Sequence, residues 1–487
     1  MKVVELLDGL VVEPLSFDIE LKGLALDSRQ LKSGFAFIAI AGATQHGLEH
    51  MQQAESKGAV VIVYDPLESA GYEMGQVGIE SVAVTDLSQK LGIIAHRFYQ
   101  APSEQMDVIG VTGTNGKTTC SQFLLQMLPQ CGVIGTLGWG GKDGLNETVN
   151  TTPDAVVIQQ ILAEFVREGK TTAVMEVSSH GLEQGRVNAI RFKGAIFTNL
   201  SRDHLDYHGS MADYLQAKLS LFNRAELQFA VVNADDENSG RFLAVTQKYV
   251  KQWAFSATGK QLEQTENLTA ENVEISLNGI AFTACWNKER VFVKSSIVGR
   301  FNLENILAVM TGLLALGYSL QHVAQGVAEL KPVKGRMESL GGDGKPFVFV
   351  DYAHTPDALE KVLQELKQYS RLKLIFGCGG DRDKGKRKEM AEIAELLADE
   401  VVITNDNPRN ESPEQIINDI VLGFKNKDVE VIPDRRQAIS TVISKADKGD
   451  CIVVAGKGHE SYQEIKGVKH SFSDQGVVRQ ALLEWAE

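Results

Sequence analysis

Ile109-Gly110-Val111-Thr112-Gly113-Thr114-Asn115-Gly116-Lys117-Thr118-Thr119 runs from an apolar strand through two glycines into a helix. Glycine lets the backbone turn successive N–H groups toward one point, where they cradle phosphate. From this position Lys117 can reach the β- and γ-phosphates of a nucleotide and the Thr118 hydroxyl can ligate Mg²⁺, while the helix N-terminus contributes its positive end. Gly113, Thr114, Asn115, Gly116, Lys117, Thr118 and Thr119 are therefore candidate nucleotide-binding residues. The general pattern G-x-x-x-x-G-K-[ST] asks for glycine at 111, where this chain has Val111, so only its second half is met.

Outward from this loop, the pattern is one of apolar runs alternating with amphipathic stretches. Asp107 to Thr112, Thr172 to Val177, Gly194 to Thr198 and Phe229 to Asn233 read as strands, with helices around 211–225 and 301–316. That alternation, read over 107–330, predicts a mainly parallel sheet wrapped by helices. Before it, a strand at Val60 to Tyr64 and a helix from Ser88 to Tyr99 suggest a small α/β domain, ended by Ala101-Pro102. After it, Lys331-Pro332-Val333-Lys334-Gly335-Arg336 reads as a linker. Strands near 347–350, 372–376, 400–404 and 451–455 then make a third α/β domain. The expected domains are 1–100, 101–333 and 334–487.

Composition fits this plan. The 487 residues are 43% hydrophobic and 23% charged, a globular balance with room for roughly three domains of about 150 residues. The net charge of −14 repels phosphate backbones and anionic membrane surfaces, so neither nucleic acid nor a membrane is an expected partner. Five scattered cysteines without a C-x-x-C pair suggest neither disulfides nor zinc, and a reducing cytoplasm fits. Acidic residues interrupt the apolar N-terminus, and no run approaches about 18 apolar residues, so no signal peptide or membrane span is expected.

Polar residues at strand ends are the next candidates. Glu176 closes an apolar strand, where open α/β sheets bind ligands, and a metal role competes there with an ordinary solvated carboxylate. Asn199 to His208 supplies a dense ionisable set in which His204 reads as a ligand or as a capping and hydrogen-bonding group. Lys218, on the helix from Met211 to Arg224, reads from spacing alone as a surface lysine.

Together, Gly113 to Thr119, Glu176-Val177-Ser178-Ser179-His180, Asn199 to Asp206, Asn302-Leu303-Glu304-Asn305, Gly335-Arg336-Met337-Glu338 and Asp351-Tyr352-Ala353-His354 resemble the Mur ligases. Leu26-Asp27-Ser28-Arg29, Asp406-Asn407-Pro408-Arg409 and Gly456-Lys457-Gly458-His459-Glu460 resemble the branch that adds the third peptide residue to a UDP-sugar dipeptide. The resemblance implies an N-terminal UDP-sugar domain, a central P-loop-type ATPase domain and a C-terminal Rossmann-like domain for the incoming amino acid. It also implies an enzyme of cytoplasmic peptidoglycan precursor synthesis, serving cell wall biogenesis, cell shape and cell division. In such enzymes ATP phosphorylates a substrate carboxylate and an amine then displaces phosphate.

By the same resemblance, Lys117 is catalytic, and Thr118, Glu176, His204 and Lys218 form the magnesium site, with Lys218 carrying a CO₂-derived carbamate. Only a neutral amine reacts with CO₂, which requires a partly buried Lys218 with a depressed pKa. Asn302, Arg336, Asp351 and His354 match positions around the nucleotide. A helix cap, a hinge ion pair and a strand-end carboxylate are the plainer readings of Asn302, Arg336 and Asp351. For UDP-N-acetylmuramoyl-L-alanyl-D-glutamate the resemblance points to Leu26, Ser28, Ala43, Thr44, Gln45, Asn150, Thr151, Thr152, Ser178, Gln184 and Arg186. Arg186 is a physical candidate for a bidentate pair with a carboxylate.

Asp406-Asn407-Pro408-Arg409 matches the signature for meso-diaminopimelate rather than L-lysine. Diaminopimelate carries one more carboxylate than lysine, and Arg409 offers the planar fork that would take it. Arg382, Asp406, Asn407, Pro408, Gly456 and Glu460 complete the implied amino-acid site. A lysine-adding or relaxed-specificity ligase, a nucleotide-driven switch and a folate polyglutamate synthetase are the competing readings. A monomer is expected, as is domain closure about residues 331–336.

Overall fold

The computed structural model describes residues 1–11, 13–42, 45–69, 71–426 and 429–486. It is an α/β protein, and its chain divides into two compact units. One comprises Met1–Ser256, Lys260–Asn267 and Thr311–Leu316; the other comprises Ala257–Gly259, Leu268–Met310 and Gly317–Glu487.

The first unit carries two sheets. Near the N-terminus, Gly23–Ala25, Phe35–Ala39, Val61–Tyr64 and Glu80–Ala83 pair in chain order, all parallel. The helix Leu87–Phe98 buries Leu87, Leu91, Ile94 and Ala95 beneath this sheet, and its core continues into Ala155 and Val156 of the helix Ala155–Arg167. Asp154 starts that second helix by accepting from the N–H groups of Val156 and Val157, two donors that a helix N-terminus leaves without intrahelical partners.

At the middle of the larger sheet lies Asp107–Thr112, parallel to Thr172–Glu176 on one side and Phe192–Phe197 on the other. Phe229–Asn233 and Lys251–Ser256 extend one flank and Cys131–Gly135 the other, all parallel. A strand covered on both faces must be apolar throughout, and Val108, Ile109 and Val111 are each fully buried. This explains Val111 where the general pattern has glycine: the residue is still inside the strand, opposite Glu176 and Ile196, and the turn begins only at Gly113.

From residue 266 the chain departs from the strand–helix alternation expected up to residue 330. Glu266–Ser276, Gly279–Trp286 and Glu289–Ser295 form an antiparallel meander. Its signals are local. Asn278-Gly279 marks one tight turn, and Asn287 takes φ 53° in the other. Ile280, Phe282 and Ala284 are buried while Ala281 and Thr283 are only partly so, the alternation of a half-buried strand.

Beyond it, a six-stranded sheet runs in the order Glu338–Gly341, Phe347–Asp351, Cys451–Ala455, Leu372–Phe376, Glu400–Ile403, Glu430–Val431. Only the first strand is antiparallel to its neighbour. The chain steps outward from Leu372–Phe376 and returns to insert Cys451–Ala455 beside Phe347–Asp351. The sheet therefore has a topological switch point, and ligands collect at the carboxyl ends of the strands there. A two-stranded hairpin, Tyr462–Ile465 with Val468–Ser471, follows the last parallel strand. Among the described residues no helix is long and apolar enough to cross a membrane.

One buried ion pair ties this unit together. Arg435 and Asp474 are both fully enclosed, with Arg435 Nε and Nη2 each donating to an Asp474 oxygen at 2.7 Å and Nη2 donating also to the Ala455 carbonyl at 3.0 Å. Removing one partner strands the other charge in the core. Arg435→Met is expected to cost about 3 to 5 kcal/mol. Arg435→Met/Asp474→Leu should recover much of that, as read from the urea unfolding midpoints of the two variants.

Candidate active site

Three strand ends of the first unit build one polar cluster. Gly113 has φ 150°, and a Cβ there would sit 2.0 Å from Thr198 Oγ1, so only glycine lets the loop lie against the neighbouring strand end. Asn199 holds the loop from outside: its carbonyl accepts from Thr114 N at 2.8 Å, its Oδ1 accepts from Asn115 N at 3.0 Å, and its Nδ2 donates to the Asn115 carbonyl at 3.3 Å. Thr114 Oγ1 in turn accepts from Ser201 N at 2.9 Å and lies 3.1 Å from the Tyr214 hydroxyl. The loop is thus held in shape by its own neighbours, which is the preorganisation a phosphate cradle needs.

Glu176 is the hub of the next group. Its side chain is fully buried, yet every contact is a donor: Thr118 Oγ1 at 2.9 Å, Thr136 N at 2.9 Å, Thr136 Oγ1 at 3.0 Å and Ser121 Oγ at 3.4 Å. A Cβ on Gly135 would stand 2.1 Å from Glu176 Oε1, so glycine at 135 leaves the carboxylate its room. Thr118 hydroxyl and Glu176 carboxylate are hard oxygen donors side by side, the chemistry that suits Mg²⁺. That ion is usually held by one or two carboxylates together with substrate phosphates. Among the described residues no group of three or more His, Cys, Asp or Glu side chains is arranged to hold a metal.

Lys218 is not a surface lysine. It is 1% exposed, its Nζ donates to the Gly113 carbonyl at 3.0 Å, and it lies 4.4 Å from the centre of the Tyr214 ring. The helix Met211–Phe222, capped by Ser210, turns Tyr214, Lys218 and Phe222 inward on one stripe. Burial holds the Lys218 amine well below the usual lysine range, and the charge of Lys117 pushes it the same way against a weaker pull from Asp203. Lys117 Nζ itself donates to the carbonyls of Gly113 and Thr114, both at 2.8 Å.

His204 takes φ 54° at the start of the short helix Leu205–His208. Its ring meets His180 edge-on at 4.9 Å, and burial lowers its pKa. His180 falls to about 4, chiefly through burial and then through His204 and His208. His208 is enclosed between Ser179 Oγ at 2.9 Å and Glu183 Oε2 at 3.0 Å.

The predicted UDP-sugar residues divide. Thr152, Ser178, Gln184 and Arg186 come together: Thr152 Oγ1 donates to the Glu176 carbonyl at 2.9 Å and accepts from Ser178 N at 3.0 Å. Arg186 donates to the Thr152 carbonyl at 2.7 Å and to Gln184 Oε1 at 3.0 and 2.5 Å. Thr151 Oγ1 lies 3.0 Å from Thr136 Oγ1, and Asn150 is exposed. Ser28 is buried against Gln53 at 2.7 Å, beside a half-buried Leu26. Gln45 is exposed at a turn closed by Gly42 N, whereas Ala43 and Thr44 lie outside the described residues.

In the second unit, Asp351, Arg382, Asp406 and Glu460 lie at or beyond the carboxyl ends of four parallel strands, whereas Asn302 lies in the helix Arg300–Ala315 and Arg336 just before the strand Glu338–Gly341. Asp351 accepts from the N–H groups of Met337 and Ala353, both at 2.7 Å, the strand-end carboxylate of the plainer reading. Arg336 stacks over the Tyr352 ring at 4.8 Å, and His354 is exposed with its Nδ1 2.8 Å from the Tyr352 carbonyl. Asn302 is buried, with its Nδ2 on the Val298 carbonyl at 2.7 Å and its Oδ1 accepting from Asn305 at 3.1 Å. Arg382 is exposed.

Asp406, Asn407 and Glu460 meet around a residue not singled out from sequence. Lys457 Nζ lies 2.8 Å from Asn407 Oδ1, 3.0 Å from Glu460 Oε2 and 3.9 Å from Asp406 Oδ1. Pro408 is buried beside them, and a Cβ on Gly456 would stand 2.6 Å from Asp406 Oδ2. Arg409 has φ 51° and its Nη1 donates to the Gly380 carbonyl at 2.8 Å. Its Nε faces Glu464 Oε2 at 3.4 Å, and its main chain bonds to the hairpin at Glu464 and Lys466.

Comparison with known proteins identifies the family. Models of the Mur ligase family match residues 20–99 (catalytic domain), 111–313 (middle domain) and 335–458 (glutamate ligase domain). A UDP-N-acetylmuramoyl-L-alanyl-D-glutamate--2,6-diaminopimelate ligase of Pseudomonas aeruginosa is 45% identical over 475 residues, 96% of both chains. The chain belongs to the Mur ligase family. A ligase of the same description from Xylella fastidiosa is 43% identical over 96% of this chain and 95% of its own. A solved structure so described superposes with a TM-score of 0.70 at 35% identity, over 99% of each chain. In this Mur ligase, Thr136, Tyr214 and Lys457 stand in these clusters although sequence reasoning names none of them as a candidate. Thr136 follows the apolar strand Cys131–Gly135, the same strand-end position that pointed to Glu176.

The Lys218 amine makes stability depend on pH. Where the folded amine is neutral and the unfolded one is protonated, the unfolded chain binds more protons, and stability rises with pH. Without bicarbonate, the urea midpoint of the protein is expected to climb as pH rises toward the ordinary lysine pKa of about 10.4, and Lys218→Met should flatten that climb. Parallel slopes for the two proteins would contradict a neutral buried amine.

Proposed function

We propose that this Mur ligase joins meso-2,6-diaminopimelate to UDP-N-acetylmuramoyl-L-alanyl-D-glutamate, with ATP and Mg²⁺, in cytoplasmic peptidoglycan precursor synthesis. The likeness at 45% identity across 96% of a ligase so described carries the reading. The domains that serve it are 1–100 for the UDP-sugar, 101–333 for ATP and 334–487 for the amino acid, in a monomer without nucleic-acid or membrane partners.

A carboxylate resists nucleophiles, so the reaction needs a leaving group. The D-glutamyl carboxylate attacks the γ-phosphate, ADP leaves, and the amine of diaminopimelate displaces phosphate from the acyl phosphate. Lys117 and the N–H groups from Gly113 to Thr119 brace the transferring phosphoryl group, whose charge must be met by fixed positive groups. Thr118, Glu176, His204 and a carbamate on Lys218 would hold the metal, which supplies charge neutralisation at the phosphates. The depressed pKa of Lys218 supports the carbamate, because it favours the neutral form of the amine, which is the form nucleophilic toward CO₂. The half-buried Arg186, braced by the exposed Gln184 amide, is a cation suited to a substrate carboxylate.

Arg409 supports diaminopimelate over lysine. Its guanidinium is fixed by the Gly380 carbonyl and the Glu464 carboxylate, a site for one more carboxylate on the acceptor. Lysine would bring no carboxylate to the guanidinium donors that Gly380 and Glu464 leave over, a penalty of about 1 to 3 kcal/mol or at least tenfold in kcat/KM. With ATP, Mg²⁺ and the UDP-dipeptide, phosphate release and a product of tripeptide mass are expected with meso-diaminopimelate and not with L-lysine, and Arg409→Ala should erase that difference. Equal use of both acceptors by the unaltered protein would overturn the specificity, and hydrolysis without an acceptor or new amide would favour a nucleotide switch.

A further inference from the structure

We propose that Lys457 is a positioning residue of the amino-acid site: its ammonium sets the Asp406 and Glu460 carboxylates, through Asn407, to receive the ammonium group of the incoming amino acid. The inference rests on the reading that this cluster takes that amino acid.

The geometry assigns each hydrogen bond a direction. Lys457 is fully buried and its ammonium carries three donors and no acceptor. Lys457 Nζ at 2.8 Å and Glu464 N at 3.0 Å both donate to Asn407 Oδ1, which fixes the amide the only way round that both can be satisfied. Asn407 Nδ2 is thereby turned to Glu460 Oε2, to which it donates at 2.7 Å. Lys457 reaches the same Oε2 at 3.0 Å. Asp406 Oδ1 accepts from Asn407 N at 2.6 Å and faces Lys457 at 3.9 Å.

Each carboxylate therefore commits one oxygen to the Lys457–Asn407 network. The other oxygens, Asp406 Oδ2 and Glu460 Oε1, have no hydrogen-bond donor among the described residues. Two carboxylates against one ammonium leave this group with a net charge of −1, which an arriving ammonium brings to zero. Without Lys457, Asn407 could flip, Glu460 would lose a buried counter-charge, and both carboxylates would be free to turn away.

Lys457→Met removes the charge at similar length. The expected result is a KM for meso-diaminopimelate raised by about tenfold to a hundredfold, the usual effect of losing a group that orients ligands. KM for ATP and for the UDP-dipeptide should stay within about twofold. Lys457→Gln keeps a donor toward Asn407 and Glu460 and should fall between the two proteins, so it carries the test if the methionine variant fails to fold. Asp406→Asn and Glu460→Gln run in parallel. If those two leave KM for diaminopimelate unchanged, the reading of the cluster as the amino-acid site is wrong. If they raise it and Lys457→Met or Lys457→Gln does not, or if the lysine variants lower kcat and raise all three KM values alike, the positioning role is overturned.

Discussion

A single carbonyl oxygen, that of Gly113, accepts from two lysines, Lys117 at 2.8 Å and Lys218 at 3.0 Å. One peptide dipole cannot offset two ammonium charges in a site this enclosed, because their mutual repulsion grows as the effective dielectric falls. The conflict is resolved by unequal burial. Lys117 is half-buried, whereas Lys218 is almost fully enclosed, and burial together with the charge of Lys117 holds the Lys218 amine well below the usual lysine range. That shift favours the neutral amine, the form the carbamate proposed for Lys218 would need. The glycine at 113, the strand register that ends at Thr112 and the inward stripe of the helix Met211–Phe222 all serve this one contact.

The second unit uses a buried lysine in the opposite way. Lys457 sits between carboxylates instead of beside a cation, and its effect is to hold Asp406, Asn407 and Glu460 in place. Both arrangements lie at carboxyl ends of parallel strands, where backbone dipoles and side chains from successive loops converge. In the proposed reading, the first arrangement would serve the phosphoryl group and the second the amine.

Much of this was legible in the residues. The strand at 107–112, the loop at 113–116 and the helix that begins at Lys117 follow from apolar run, glycine turn and helix start, and the structure places them there. Glu176 was found because a carboxylate closing a buried strand is conspicuous; Thr136, in the equivalent position one strand away, was not, because a threonine at a strand end is commonplace. Lys218 was misread from spacing although a signal existed: it stands four residues from both Tyr214 and Phe222, on the apolar stripe. Lys457 was hidden for the converse reason, since its significance lies in residues fifty positions earlier that only the sheet brings to it. The meander at 266–295 was missed because helical alternation on either side masked a period-two pattern with its own turn residues.

The central claim is that this pair of sites activates a carboxylate by phosphorylating it. The most direct measurement labels both oxygens of the substrate's D-glutamyl carboxylate with ¹⁸O, runs the reaction with ATP and meso-diaminopimelate, and weighs the phosphate released. Transfer of a single ¹⁸O into each phosphate formed is the predicted result, because the bridging oxygen of an acyl phosphate leaves with the phosphoryl group. Phosphate free of label, its fourth oxygen drawn from water, would contradict the account.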